Sequence, residues 1–167
     1  MEMLWKTVGH SRVKAVWERQ LAAGCLSHAY LLRGPRGLGK HTLAREFASR
    51  LLGSTALASH PDFCELVSAD DETVSAEAAR AFLERITLKP FTSKYVVGVV
   101  PDLDTLNRFV VNSLLKTLEE PPAHVVLLLT AAGSVLPAVV SRCETFALMP
   151  MSDSELTEVL HAAGKKA

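Results

Sequence analysis

Short, almost unbroken apolar runs alternate with segments whose apolar residues recur at helical spacing, a pattern that predicts βα units stacked around a parallel sheet. Val13, Val16, Trp17 and Leu21 predict an opening amphipathic helix that ends near Gly24, followed by a first strand over Ala29–Arg33. Leu43, Ala44, Phe47, Ala48, Leu51 and Leu52 form one apolar stripe of a second helix, which Gly53 closes. The next stretch, GSTALASH from Gly53 to His60, reads as a loop. A second strand is expected at Phe63–Val67, and a helix at Ser75–Thr87 carries Ala78, Phe82 and Ile86 on one face before Pro90 forbids its continuation. Tyr95–Val100 and Val125–Thr130 are the continuous apolar runs of strands covered on both faces. Between them Leu106, Val110, Leu114 and Leu118 line a helix from about Thr105 to Glu120, which Pro121 and Pro122 end. A short helix around Leu136–Arg142, a last strand near Thr145–Leu148 and a helix from Ser152 complete the chain. Ser152 and Glu155 have the spacing of a capping box.

Composition narrows the picture only modestly. The 167 residues suit one compact domain, with 49% hydrophobic residues for a core and 22% charged. Eighteen basic residues balance eighteen acidic ones, so no global field draws the chain onto nucleic acid, and any DNA contact belongs to a local patch or a partner. Cys25, Cys64 and Cys143 lie far apart and read as reduced thiols, and the six histidines, at 10, 28, 41, 60, 124 and 161, show no metal-ligand spacing. No apolar run approaches the ~20 residues that span a bilayer, and no signal peptide is readable. The expectation is a cytoplasmic protein with no membrane partner and no resident metal.

The chemistry concentrates between the first strand and second helix. Gly34, Pro35, Arg36, Gly37, Leu38, Gly39 and Lys40 meet the G-x-x-x-x-G-K part of the phosphate-loop pattern in the strand-loop-helix context that it requires. Glycines let backbone N–H groups turn toward phosphate, the helix N-terminus adds partial positive charge, and the lysine reaches the outer phosphates. Gly34, Pro35, Gly37, Leu38, Gly39, Lys40 and Thr42 are therefore the candidate nucleotide-binding residues. A tight turn with a solvated Lys40 is the plainer alternative. The position that ordinarily supplies a magnesium-binding hydroxyl is His41, a poor ligand for that oxygen-seeking cation. The acidic pair such an enzyme needs after a neighbouring strand falls at Pro101 and Asp102, and Pro101 has no carboxylate. Asp102 remains as a residual acid, while Asp104 suits a cap on the following helix at least as well. Both departures strike the metal and spare the cradle, so ATP binding is expected to be weak or independent of magnesium. The rival reading has Thr42 and Asp102 substitute with shifted geometry in an active ATPase.

HAYLLRGPRGLGKHTLAREFA (28–48), HPDF (60–63), ITLKPF (86–91), NSLLKTLEEPP (112–122) and LPAVVSRC (136–143), in that order and spacing, resemble the delta prime subunits of bacterial DNA polymerase III clamp loaders. The resemblance runs from about Trp5 to the end. It implies an AAA+ P-loop domain over residues 1–150, an α/β fold with a five-stranded parallel sheet of order 5-1-4-3-2, and the start of a truncated lid over 151–167. It implies a largely silent AAA+ module in DNA replication whose Arg142, in Ser-Arg-Cys, acts in trans as an arginine finger on a neighbour's ATP. An arginine satisfying a helix C-terminus is the structural alternative. Thr130 matches the sensor position, Val8-Gly9 the segment beside the adenine, and the Leu115–Glu119 helix end would face a neighbouring subunit, with Lys116 and Glu120 as an i,i+4 pair. The implied partners are an ATPase subunit and delta, with the sliding clamp and primer-template DNA indirectly engaged. GSTALAS stands where many relatives carry a four-cysteine module, so no zinc is expected.

Overall fold

The computed structural model describes residues 5–67 and 73–164. Helix α1 (Ser11–Ala23) is followed by β1 (Ala29–Arg33), α2 (Lys40–Leu52), β2 (Phe63–Glu65), α3 (Ala76–Thr87), β3 (Val96–Val100) and α4 (Arg108–Glu119). Then come β4 (Val125–Ala131), α5 (Pro137–Val140), β5 (Glu144–Ala147) and α6 (Asp153–Gly164). The last three residues of the expected lid lie outside the described residues.

All strand pairs are parallel, and the sheet runs β2-β3-β4-β1-β5, the order that the resemblance implied. Successive strand residues feed opposite cores, the period of two that makes these runs apolar throughout. Leu31, Val96, Val100, Leu127 and Leu129 meet α3, α4 and α5 on one face. Tyr30, Leu32, Val97, Val99, Val126 and Leu128 meet α1 and α2 on the other. Gly98 sits mid-strand in β3 because α3 comes too close for a side chain. A Cβ there would lie 2.9 Å from both Phe82 and Leu127. Gly98→Ala is expected to cost about 1–3 kcal/mol by overpacking, read as a lowered urea midpoint at unchanged slope.

An aromatic cluster anchors α1. Trp17 is fully buried and stacks on Phe47 at 4.1 Å between centroids, with Tyr30 and Phe146 edge-on to it. The Tyr30 hydroxyl donates to Gln20 at 2.7 Å, and burial pushes its pKa up to about 12. Gln20 in turn donates to the Glu144 carboxylate, tying α1 to β5.

Several boundaries differ from those expected. β2 stops at Glu65 and not Val67, because this edge strand has only β3 to pair with; Leu66 still donates to Val99, but Val67 turns outward, 60% exposed. The loop after α2 contains a 3₁₀ turn at Leu57–Ser59 that buries Leu57. Helix α4 begins at Arg108 and not near Thr105. Asp102 adopts a left-handed conformation (φ 46°), Leu103–Thr105 form a 3₁₀ turn, and extended Asn107 caps the helix by accepting from the Val110 N–H at 3.0 Å. Asp104 is therefore not the cap. Near the C-terminus α5 is a single turn and β5 starts one residue early. The expected Ser152–Glu155 box forms in both directions, Ser152 N–H to Glu155 at 2.8 Å and Glu155 N–H to Ser152 Oγ at 3.3 Å.

Candidate functional site

The carboxyl edge of the sheet gathers the expected residues, as strand order dictates for a parallel α/β fold. The loop after β1, the turn after β3 and the end of β4 bring Arg36, Gly37, Gly39, Lys40, His41, Asp102 and Thr130 around one cleft of about 270 Å³. Gly34 begins the loop at φ 152°, and a Cβ there would stand 2.4 Å from the Leu148 carbonyl oxygen, so only glycine fits. Gly39, left-handed at φ 73°, precedes α2 and leaves its first turn without a side-chain cap. Those bare N–H groups and the helix dipole favour an anion.

Lys40 is buried, 6% exposed, and its ammonium donates to the Gly34 and Pro35 carbonyls at 2.7 Å each. It is not the solvated residue of the plainer alternative, but a cation held inside its own loop. Thr42 is exposed and does not line the cleft. His10, itself left-handed, bonds through Nε2 to the Leu38 carbonyl at 2.9 Å, fastening the segment that holds Val8 and Gly9 to the loop.

His41 turns to β2. Its Nε2 contacts the Glu65 carboxylate, whose other oxygen accepts from Arg45. Asp102 is exposed at the cleft, and its N–H donates to the buried Thr130 hydroxyl at 3.0 Å, so the sensor-position residue also braces the turn after β3. Asp104 accepts from the Ala132 and Gly133 N–H groups at 3.0 and 2.8 Å, closing the end of β4. The donor set does not fit magnesium: one carboxylate faces the cleft, and an imidazole engaged with Glu65 stands where a hydroxyl is needed. Among the described residues no group of three or more His, Cys, Asp or Glu is arranged to hold a metal ion.

Arg142 lies elsewhere. It precedes Glu144, which pairs with Tyr30 near the start of β1, whereas the phosphate loop leaves the far end of that strand. The four residue steps from Tyr30 to Gly34 separate the two edges by about 13 Å. The guanidinium donates to the Ala138 carbonyl at 2.8 Å and to Glu119 at 2.9 Å. The helix-end ion pair is thus Glu119 with Arg142, and among the described residues Lys116 and Glu120 form none.

Two residues with defined work were missed as individuals, though both stand in motifs already quoted. Asp62 of HPDF is 1% exposed and accepts from the Phe91, Thr92 and Ser93 N–H groups and the Thr92 hydroxyl, clamping the end of ITLKPF to β2. Burial would raise its pKa, but those donors outweigh burial and hold the carboxyl well below the usual carboxylate range. Glu119 of LLKTLEEPP is the other. No periodicity could reveal either pairing.

A family described as "DNA polymerase III, delta subunit" matches residues 9–152. DNA polymerase III subunit gamma of Buchnera aphidicola is 32% identical over 92% of this chain and 47% of that protein. The chain thus spans about half the length of that relative. A gamma subunit-related protein from Thermotoga maritima has a TM-score of 0.66 at 19% identity, covering 86% of this chain and 47% of that one. The Bacillus subtilis DNA clamp loader delta protein has a TM-score of 0.56 at 16% identity, covering 87% and 45%. The fold is that of AAA+ domains. No helix among the described residues is long and apolar enough to cross a membrane.

Proposed function

The chain belongs to the DNA polymerase III delta-subunit family of clamp-loader AAA+ domains, and from that premise we propose that it is a degenerate, delta prime-like module. It stabilises the loader and supplies Arg142 to ATP bound by a neighbouring ATPase subunit. The observation that carries this reading is the division of its cleft. The phosphate cradle keeps its uncapped helix, its glycines and Lys40, while His41 is engaged by Glu65 and position 101 is proline. A chain so built holds nucleotide without the metal ligands that hydrolysis needs. The curated gamma relative gives the family and not this role; the two lost metal positions are what favour delta prime. The other loader subunits, ATPase and delta, are its partners in this reading, with sliding clamp and primer-template DNA reached through them.

Arg142 suits the second half of the proposal. Its distance from its own cleft leaves a neighbour's phosphates as the target, and a permanently charged fork stabilises charge spread over phosphoryl oxygens. One observation favours the rival ATPase: Asp102 lines the same cleft as Lys40.

Equilibrium binding of a fluorescent ATP analogue separates the readings. Binding is expected with or without Mg²⁺, and Lys40→Ala is expected to weaken it about 10- to 100-fold by removing charge-assisted hydrogen bonds. Binding strengthened by Mg²⁺, with turnover lost in Lys40→Ala, would support the active ATPase. No binding under any condition would reduce the loop to architecture.

A further inference from the structure

We infer that Glu119 is a positioning residue for Arg142, holding the guanidinium so that one edge stays open to a phosphate. The inference rests on the arginine-finger reading above. A guanidinium has five N–H donors in a fixed plane. Nη1 donates to the Ala138 carbonyl at 2.8 Å and to Ser141 Oγ at 3.4 Å, and Nη2 donates to Glu119 Oε1 at 2.9 Å. These bonds leave the Nε–H and one Nη2–H without a partner among the described residues. A pair of phosphate oxygens takes two such donors in bidentate fashion.

Two features argue that Glu119 serves the arginine and not the fold. The side chains are 34% and 50% exposed, and ion pairs this open contribute little to stability. Glu119 is also the last residue of α4, where a carboxylate opposes the helix dipole. The pair instead joins two elements, α4 and the turn after α5, which a long and otherwise flexible side chain needs if it is to keep one direction. The Nε–H and the second Nη2–H are not spent on that fixation, so the bond to Glu119 and a bond to phosphate are compatible. Holding an arginine in one direction matters because a transition-state contact displaced by about 1 Å can cost 10²-fold in rate.

The test uses the reconstituted loader, with Glu119→Ala, Glu119→Gln and both combined with Arg142→Ala, after complex formation and thermal midpoint are checked against wild type. Glu119→Ala is expected to lower kcat of the DNA-stimulated ATPase about tenfold with KM for ATP unchanged. Glu119→Gln, which keeps an acceptor oxygen, is expected to restore most of the rate. On the Arg142→Ala background Glu119→Ala should do nothing more. An unchanged rate in Glu119→Ala while Arg142→Ala is defective would overturn the positioning role and leave the finger standing. A faster rate would make Glu119 a restraint, and a loss that persists without Arg142 would assign it other work; either also overturns the proposal. If Arg142→Ala itself has no effect, the finger reading fails first.

Discussion

Replacing Arg142 by alanine is expected to lower ATP turnover at the site of the proposed neighbouring subunit by about 10³-fold or more, the range an arginine finger contributes to phosphoryl transfer. The chain's own stability should scarcely move. Arg142 is a surface residue whose ion pair with Glu119 is half open to water, and its remaining bonds are to the carbonyl and hydroxyl of its own turn. Arg142→Lys is not expected to rescue the rate, since an ammonium lacks the planar fork. The measurement is single-turnover, DNA-stimulated hydrolysis by a reconstituted loader, with circular dichroism of the variant as the control. An unchanged rate would end the trans-acting role.

Asp62→Ala has the largest expected effect on the fold itself, about 3–5 kcal/mol. Its carboxylate is almost wholly buried and serves three consecutive backbone N–H groups, at Phe91, Thr92 and Ser93, together with the Thr92 hydroxyl. Removing the acceptor strands several donors at once in a site too closed for water to replace them all, and each stranded donor carries its full desolvation penalty. Asp62→Asn should lie in between, because the amide keeps one oxygen but loses the charge. The same bonds set the pH dependence. The folded-state pKa lies below the unfolded value of about 3.9, so this contribution is complete above about pH 4 and is lost as pH falls toward and through the lower folded value. Acid titration of the unfolding free energy should therefore show a steeper decline below about pH 4 in wild type than in Asp62→Ala. Parallel curves would sink the assignment.

Much of the fold was legible in the sequence. The strands at β1, β3 and β4 read correctly because a strand buried on both faces is an apolar run, and helices α1 to α3 because their stripes recur at 3.6 residues. The phosphate loop was legible because its chemistry is contiguous: glycines, Lys40 and a helix start are neighbours in sequence and remain neighbours in space. The start of α4 was placed too early because Asp104 is a residue type that suits a cap, whereas the left-handed turn at Asp102 leads into a 3₁₀ turn and leaves the capping to Asn107. At the candidate site the residue types were readable and their engagements were not. That position 41 is histidine is a fact of the sequence; that this histidine faces Glu65 follows from β2 lying beside β3.

By itself, the sequence determined the alternation of elements, the presence of a phosphate-loop motif and the histidine and proline at positions 41 and 101, since each depends on residues close together along the chain. Tertiary structure alone decided that Lys40 is buried against its own loop, that Asp102 leans on Thr130, that Asp62 clamps residues 91–93 and that Glu119 holds Arg142. Most of these contacts join residues more than twenty positions apart, and even the lysine's short reach depends on how its loop closes. Periodicity records which way a residue faces within its element. Which residues then meet depends on the order of strands in the sheet and the packing of helices across it, and that order is set by burial summed over the whole chain.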